Sequence, residues 1–569
     1  MLMLRFLTFL FIGIGIFGTI TAVEISEEWW RDSFIYHLYP RSFKDSDGDG
    51  IGDLNGITSK LEYLVDIKVS AVWIGPFYKS PMIDFGYDIT NFTGVDPIFG
   101  TLDDFKKLTS KAKSLGLKVM LDFVPNHSSD QHHWFQKSIK RIKPYDNYYV
   151  WADAKIINGT RQPPNNWLSL FQGTAWTWND ERKQYYLHQF AAAQPDFNFR
   201  DESLNEEMKD VLRFWLNTGV DGFRIDTIPS LIEDTRLLDE PRLPNTGLPD
   251  TDSDTLRHIY TYDQDETYDV LKSWREVLDD SPGPKKIFLT EAYSSLADVM
   301  KYYDYGSNIP MNFMFLGELN NRSTAYDFKR KIDPYLNAIP DGQSANWVVG
   351  NHDRFRVATR FGPKRADQLT MLAAVLPGVG VIYNGDELGM ENRVMTWEET
   401  VDPPGCNAGP LRYKTTSRDP MRTPFQWDNS TSAGFSINNK TWLPVHPNYK
   451  TINLAAQKLT AASHYNVFRR LAALKKNPVI SKGTTKLVVI NDIILGVIRR
   501  LPGKSPIVLL INFSDGSTHF DAAFSLNIPD KMSVYAASVG SHIKVGATFD
   551  TNRIELPGAA SVILKLKSR

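Results

Sequence analysis

Four short segments of the 569-residue chain end in side chains that could do chemistry. "LDFVPNH" carries Asp122, Asn126 and His127, and "GFRIDT" carries Arg224 and Asp226. "LTEAY" carries Glu291, and "VVGNHD" carries His352 and Asp353. Each charged residue follows a run of apolar ones. One alone reads as a helix cap or a buried ion pair. Asp226, Glu291 and Asp353 on separate segments, with Arg224 and two histidines beside them, are hard to explain as packing. Burying several like charges together is costly unless a reaction needs them.

A second group has the spacing of a metal loop. In "DSDGDGIGDLNG" (45–56) oxygens fall at loop positions 1, 3, 5 and 9, a glycine (Gly50) at 6 and the Ile51 carbonyl at 7. Position 12 is Gly56 and not a bidentate glutamate, and the segment upstream is a strand and not a helix. An EF-hand is therefore not expected. The plain alternative is a polar turn without metal.

The elements that must position these residues are apolar, β-branched runs at 33–40, 69–77, 117–125, 220–228, 285–293, 308–315, 345–353 and 379–387. Helical patterns lie between them, at 102–115, 205–217, 267–280 and 363–376. Eight such repeats predict an α/β fold, a (β/α)8 TIM barrel. In a barrel the C-terminal strand ends converge on one mouth, which is where the charged residues fall. The stretch 128–202 is too long for a loop and is expected to be an inserted subdomain after the third strand. From 478 to 569 short alternating strands predict a C-terminal antiparallel β domain. The barrel would then comprise 23–127 and 203–477.

Residues 1–22 have a short basic start and an apolar run ending in Thr-Ala, and read as a cleaved secretory signal. The expected location is extracellular, with no membrane partner after cleavage. Asn91, Asn158, Asn321, Asn429, Asn439 and Asn512 begin N-x-S/T sequons and are glycosylation candidates. Asn126 also begins one but belongs to the "DFVPNH" segment. A net charge of −2 gives no reason to expect nucleic acid as a partner. Cys406 is the single cysteine, so no intramolecular disulfide can form. His258, His446 and the pair at 132–133 show no ligand spacing and are expected to be surface or structural.

Taken as a set, "DFVPNH", "QPDFN" (194–198), "GFRID", "EA", "GNHD" and "RTPFQWD" (422–428) resemble glycoside hydrolase family 13, the α-amylase superfamily. The resemblance covers essentially everything after residue 22, and is to the secreted insect α-glucosidases near oligo-1,6-glucosidase. It implies an exo-acting retaining α-glucosidase that removes terminal α-1,4-linked glucose from maltose, short maltooligosaccharides and sucrose. Asp226 would be the nucleophile, kept ionised by Arg224, and Glu291 the acid/base. Asp353 would grip the 2- and 3-hydroxyls of the sugar, His127 and His352 would bond the same glucose, and Tyr87 would stack on its ring. Asp88 and Arg422 would form the ion pair that closes the pocket behind the non-reducing end. Thr227, beside the nucleophile, would favour α-1,4 bonds. Asp45, Asp47, Asp49, Asp53 and the Ile51 carbonyl would hold a structural Ca²⁺ or Mg²⁺, with no organic cofactor. Expected partners are small oligosaccharides.

Two other readings stay open. A transglucosylase or sucrose isomerase would use the same covalent intermediate with a different acceptor. A non-enzymatic relative of the amino-acid transporter heavy chains would keep the barrel, but those chains carry a cytosolic tail before a membrane span.

Overall fold

The computed structural model describes residues 28–567. The expected signal segment, 1–22, lies outside them. Eight parallel strands form one sheet: β1 (Phe34–Leu38), β2 (Ala71–Ile74), β3 (Lys118–Phe123), β4 (Gly222–Ile225), β5 (Ile287–Thr290), β6 (Ile309–Pro310), β7 (Asn346–Val348) and β8 (Val379–Tyr383). Each lies inside a run expected to be a strand. The hydrogen-bonded order runs β6-β5-β4-β3-β2-β1-β8-β7, so the ends of the list, β6 and β7, are sequence neighbours. They meet through the Asn312 amide on Asn346 Oδ1 (3.1 Å) and the Val348 amide on the Asn312 carbonyl (3.4 Å). These bonds close the (β/α)8 barrel.

Strand periodicity sorts the side chains onto two faces. Ile35, Ala71, Met120, Ile287, Leu289, Val379 and Val381 form one buried cluster, which fills the barrel. Phe34, Tyr36, Leu38, Val72 and Ile74 point outward into the larger core shared with the helices. Close packing decides one composition outright: a Cβ on Gly222 would lie 2.5 Å from the Ile287 carbonyl oxygen, so β4 can approach β5 this closely only with glycine there.

The helices read as their sequences direct. Thr101 and Asp104 make a capping box at the start of Leu102–Ser114, which buries Phe105, Leu108 and Ala112 at helical spacing. Asp201 caps Glu202–Asn217, which buries Leu204, Met208, Leu212 and Trp215. The stretch after β3 holds a three-stranded antiparallel sheet of Trp151–Ala152, Gln184–Leu187 and Trp176–Asn179. It also holds a hairpin of Lys155–Ile157 and Thr160–Gln162. Near the C-terminus a six-stranded antiparallel sheet encloses a core of its own.

Candidate active site

Arg224 is the centre of the arrangement. It lies on β4 with its Cα in register with Asp122 on β3, and both side chains are buried. Its Nη1 donates to Asp122 Oδ1 (2.9 Å) and Asp226 Oδ1 (2.5 Å), and its Nη2 pairs with Glu291 Oε1 (2.5 Å). The guanidinium lies 5.0 Å from the Trp73 ring centroid. Asp226 and Glu291 sit one residue past β4 and β5. The Asp226 amide reaches the Phe123 carbonyl (2.8 Å) and the Glu291 amide the Ile225 carbonyl (3.0 Å), so the ladder itself carries both carboxylates to the barrel mouth. The next residue, Thr227, turns the chain through a left-handed conformation (φ 39°) and its amide donates to Glu291 Oε2 (3.0 Å).

One guanidinium faces three carboxylates here. Burial pushes the Asp226 carboxyl well up, Glu291, Asp122 and Asp353 add to the push, and Arg224 opposes it. Burial likewise raises Asp122 to about 6. Asp226 and Glu291 share one cation, so a single proton held by the pair relieves that pressure. Glu291 Oε1 lies on the guanidinium, and Oε2 accepts from the Thr227 amide.

A cavity of about 590 Å³ opens above this cluster, lined by Tyr87, His127, Asp226, Thr227, Glu291, His352, Asp353 and others. The Tyr87 hydroxyl bonds Asp122 Oδ2 (3.1 Å) and His352 Nε2 (2.8 Å), and its ring lies parallel to that of His352. Asp122 is an acceptor, so Tyr87 donates to it and accepts from His352 Nε2–H. Burial lowers His127 to about 3 and His352 well below its ordinary value, so both imidazoles are neutral. Burial works against the charge on Asp353, but the guanidiniums of Arg422 and Arg418 outweigh it and hold its carboxyl well below the carboxylate range.

The expected Asp88–Arg422 ion pair does not form. Asp88 turns inward and is consumed by its own loop, accepting from Ser80 Oγ (2.8 Å) and the amides of Ile83 (2.8 Å) and Asp84 (3.0 Å). Arg422 lies behind Asp353, donating to its Oδ1 (2.9 Å) and to the His352 carbonyl (3.0 Å). The pair that faces the cavity is Asp84–Arg418 (2.6 Å), each residue four positions earlier. Arg418 Nη1 also reaches Asp353 Oδ1 (3.4 Å). Gln194 of "QPDFN" completes this side: its Nε2 donates to Asp84 Oδ2 (3.2 Å) and lies 3.1 Å from His127 Nε2. His258 also lines the cavity, which its sequence surroundings did not signal.

One further expectation needs correction. Asn512 is wholly buried, and its Nδ2 donates to the carbonyls of Gly516 (2.9 Å), Leu556 (3.0 Å) and Pro557 (3.1 Å), so its sequon cannot carry a glycan in the folded chain. Asn91, Asn158, Asn321, Asn429 and Asn439 are exposed. In the acidic loop, Asp45, Asp47 and Asp49 bring one oxygen each within 4.8 Å of one another, and Asp53 closes the loop. Its Oδ1 accepts from Ser46 Oγ (2.7 Å) and, as the cap of Leu54–Ser59, from the Gly56 amide (2.7 Å). Its Oδ2 accepts from the Ser46 amide (2.6 Å). The Ile51 amide donates to Asp49 Oδ1 (2.7 Å). Three converging carboxylates are a hard-oxygen set of the kind Ca²⁺ or Mg²⁺ takes. Burial raises Asp49, with Asp47, Asp45 and Asp53 adding to the shift, which a bound cation would relieve.

Residues 37–483 match the alpha-amylase catalytic domain. The chain is 48% identical to an alpha-glucosidase of Apis mellifera, over 91% of each chain. It is 45% identical to maltase 1 of Drosophila virilis, over 95% of this chain and 87% of the relative. A solved alpha-glucosyl transfer enzyme superposes with a TM-score of 0.84 at 35% identity, covering 95% of this chain and 99% of that one.

Proposed function

The chain belongs to the alpha-amylase family of glycoside hydrolases, and from that premise we propose that it is a retaining, exo-acting α-glucosidase that removes single terminal glucose units from maltose and other short α-1,4-linked sugars. The observation that carries the exo-acting reading is the Asp84–Arg418 pair beside Asp353, a charged wall across one side of the cavity. A pocket walled in this way accommodates a chain end and not a chain interior.

In the reaction, Glu291 gives its proton to the glycosidic oxygen while Asp226 attacks the anomeric carbon and forms a glucosyl ester. The free Glu291 carboxylate then takes a proton from water, which attacks the same carbon and releases Asp226. Arg224 keeps Asp226 aimed through Nη1, and its positive charge opposes the rise that burial imposes on that carboxyl. Asp353, held anionic by its arginines, accepts from sugar hydroxyls, and the neutral imidazoles of His127 and His352 bond the same glucose.

NMR of maltose digestion is expected to show α-glucose released first. Maltose is expected to be cut faster than isomaltose and far faster than soluble starch. β-Glucose appearing first sinks the retaining mechanism, and maltose arising from starch sinks the exo-acting one. The likeness to a glucosyl transfer enzyme supports a second reading, in which a sugar hydroxyl takes the place of water. Rearranged disaccharides formed from sucrose would identify it.

Asp45, Asp47 and Asp49 would hold a Ca²⁺ whose role is to tie down the loop after β1. A chelator is therefore expected to lower Tm, and Asp47→Asn to lower it without chelator and abolish the chelator's effect. An unchanged Tm in chelator would leave the loop as a plain polar turn. We also read the chain as secreted, from the apolar segment 6–20 and the five exposed sequons. Among the described residues no helix is long and apolar enough to cross a membrane.

A further inference from the structure

Asp402 occupies the cap position of the short helix Pro403–Ala408 but does not cap it. The next two residues are prolines, which remove the N1 and N2 amides and leave only that of Gly405 within a cap's reach. Its carboxylate is released from local duty and, fully buried, turns to Arg418 instead. Asp402 Oδ2 accepts from the Arg418 amide (2.7 Å), and Oδ1 accepts from Nε (3.0 Å) and Nη2 (2.7 Å). Asp402 is itself tied down, since its amide (3.1 Å) and that of Val401 (2.9 Å) both donate to Asp419 Oδ2. Asp402 does not line the cavity.

We propose that Asp402 is a positioning residue that sets recognition of the substrate's chain end by fixing the Arg418 guanidinium at the cavity wall. A two-point, charge-assisted grip of this kind fixes the plane of an arginine as well as its place. With Nε and Nη2 clamped, Nη2 is aimed at Asp84 (2.6 Å) and Nη1 at Asp353 (3.4 Å), and the guanidinium carbon lies 4.9 Å from the Phe171 ring centroid. Without Asp402, a long flexible side chain would have to be ordered on each binding event. Asp353 keeps its own bond to Arg422 (2.9 Å), and Arg422 Nη1 lies 3.8 Å from Asp402 Oδ1, beyond hydrogen-bond reach, so Arg422 loses only this long contact. The loss should therefore fall on binding and not on the chemical step.

The inference rests on the exo-acting reading above. Its test is maltose kinetics for Asp402→Asn, Arg418→Gln and the double variant, each with a measured Tm. Asp402→Asn is expected to raise KM about tenfold or more while kcat stays within about threefold of wild type. The double variant is expected to show a KM close to that of Arg418→Gln alone, because both changes remove one device. A folded Asp402→Asn with wild-type KM overturns the proposal, and so do KM effects that multiply in the double variant. Should the asparagine variant not fold, Asp402→Glu keeps the charge and displaces the grip by one methylene. It too is expected to raise KM, and a wild-type KM there is equally fatal. Wild-type cleavage of a maltoheptaoside blocked at its non-reducing end is a separate control. It would sink the exo-acting reading while leaving the KM comparison to decide on Asp402.

Discussion

Asp226→Asn is expected to lose kcat on the order of 10⁴-fold or more on every substrate, activated or not, because the attacking oxygen itself is gone. The same variant is expected to be more stable than the wild type. Arg224 serves Asp122, Asp226 and Glu291 at once, and Asp353 lies close enough to add its charge. An amide of the same shape keeps an acceptor for Arg224 Nη1 and removes one negative charge from that crowd. Activity and Tm should therefore move in opposite directions, the pattern expected where a site is arranged for reaction at the expense of stability. Near-wild-type turnover would refute the nucleophile assignment. A sharp fall in Tm would mean that the cluster is structural.

Glu291→Gln tests the other half of the pair and should give a different signature. General acid–base catalysis is worth about 10²–10⁴-fold, so hydrolysis of maltose should fall by that much. An aryl glucoside with a good leaving group needs no proton to depart. Its first step should proceed nearly at the wild-type rate, so a burst of phenol followed by slow turnover is expected. Equal losses on maltose and on the activated glucoside would rule out Glu291 as the proton donor. The two variants together separate attack from protonation, which a single inactive variant cannot do.

The eight barrel strands and the grouping of Asp226, Glu291 and Asp353 were legible because they rest on short-range signals. An apolar run followed by a charge marks a strand end, and the barrel then brings those ends together whatever the intervening sequence. The pocket wall was not legible for the opposite reason. "DFGYD" offers two aspartates four residues apart, and "SRDPMRTP" offers two arginines four apart. Local pattern does not say which of each faces the cavity. The choice is made by contacts across more than 300 residues of chain, such as Arg418 with Asp84, and by whether a loop's own amides consume the carboxylate, as they do for Asp88. Asn512 shows the same limit: three residues define a sequon, but carbonyls brought in from Gly516, Leu556 and Pro557 define its burial. Asp402 carries no local signal of its role, because its grip on Arg418 is made across 16 residues of chain.

The charged wall that Arg418 and Asp84 build has a kinetic consequence for how long substrates are consumed. On the exo-acting reading, glucose freed at the walled end would sit deeper than the shortened remainder of the chain, so the remainder would depart before it. Such an enzyme would let go of its polymer after each cut and start again on whichever chain arrives next. Every chain in a mixture would then shrink by one unit at a time. Glucose itself, fitting the same recess, would compete with fresh substrate, and turnover is expected to slow as the product accumulates.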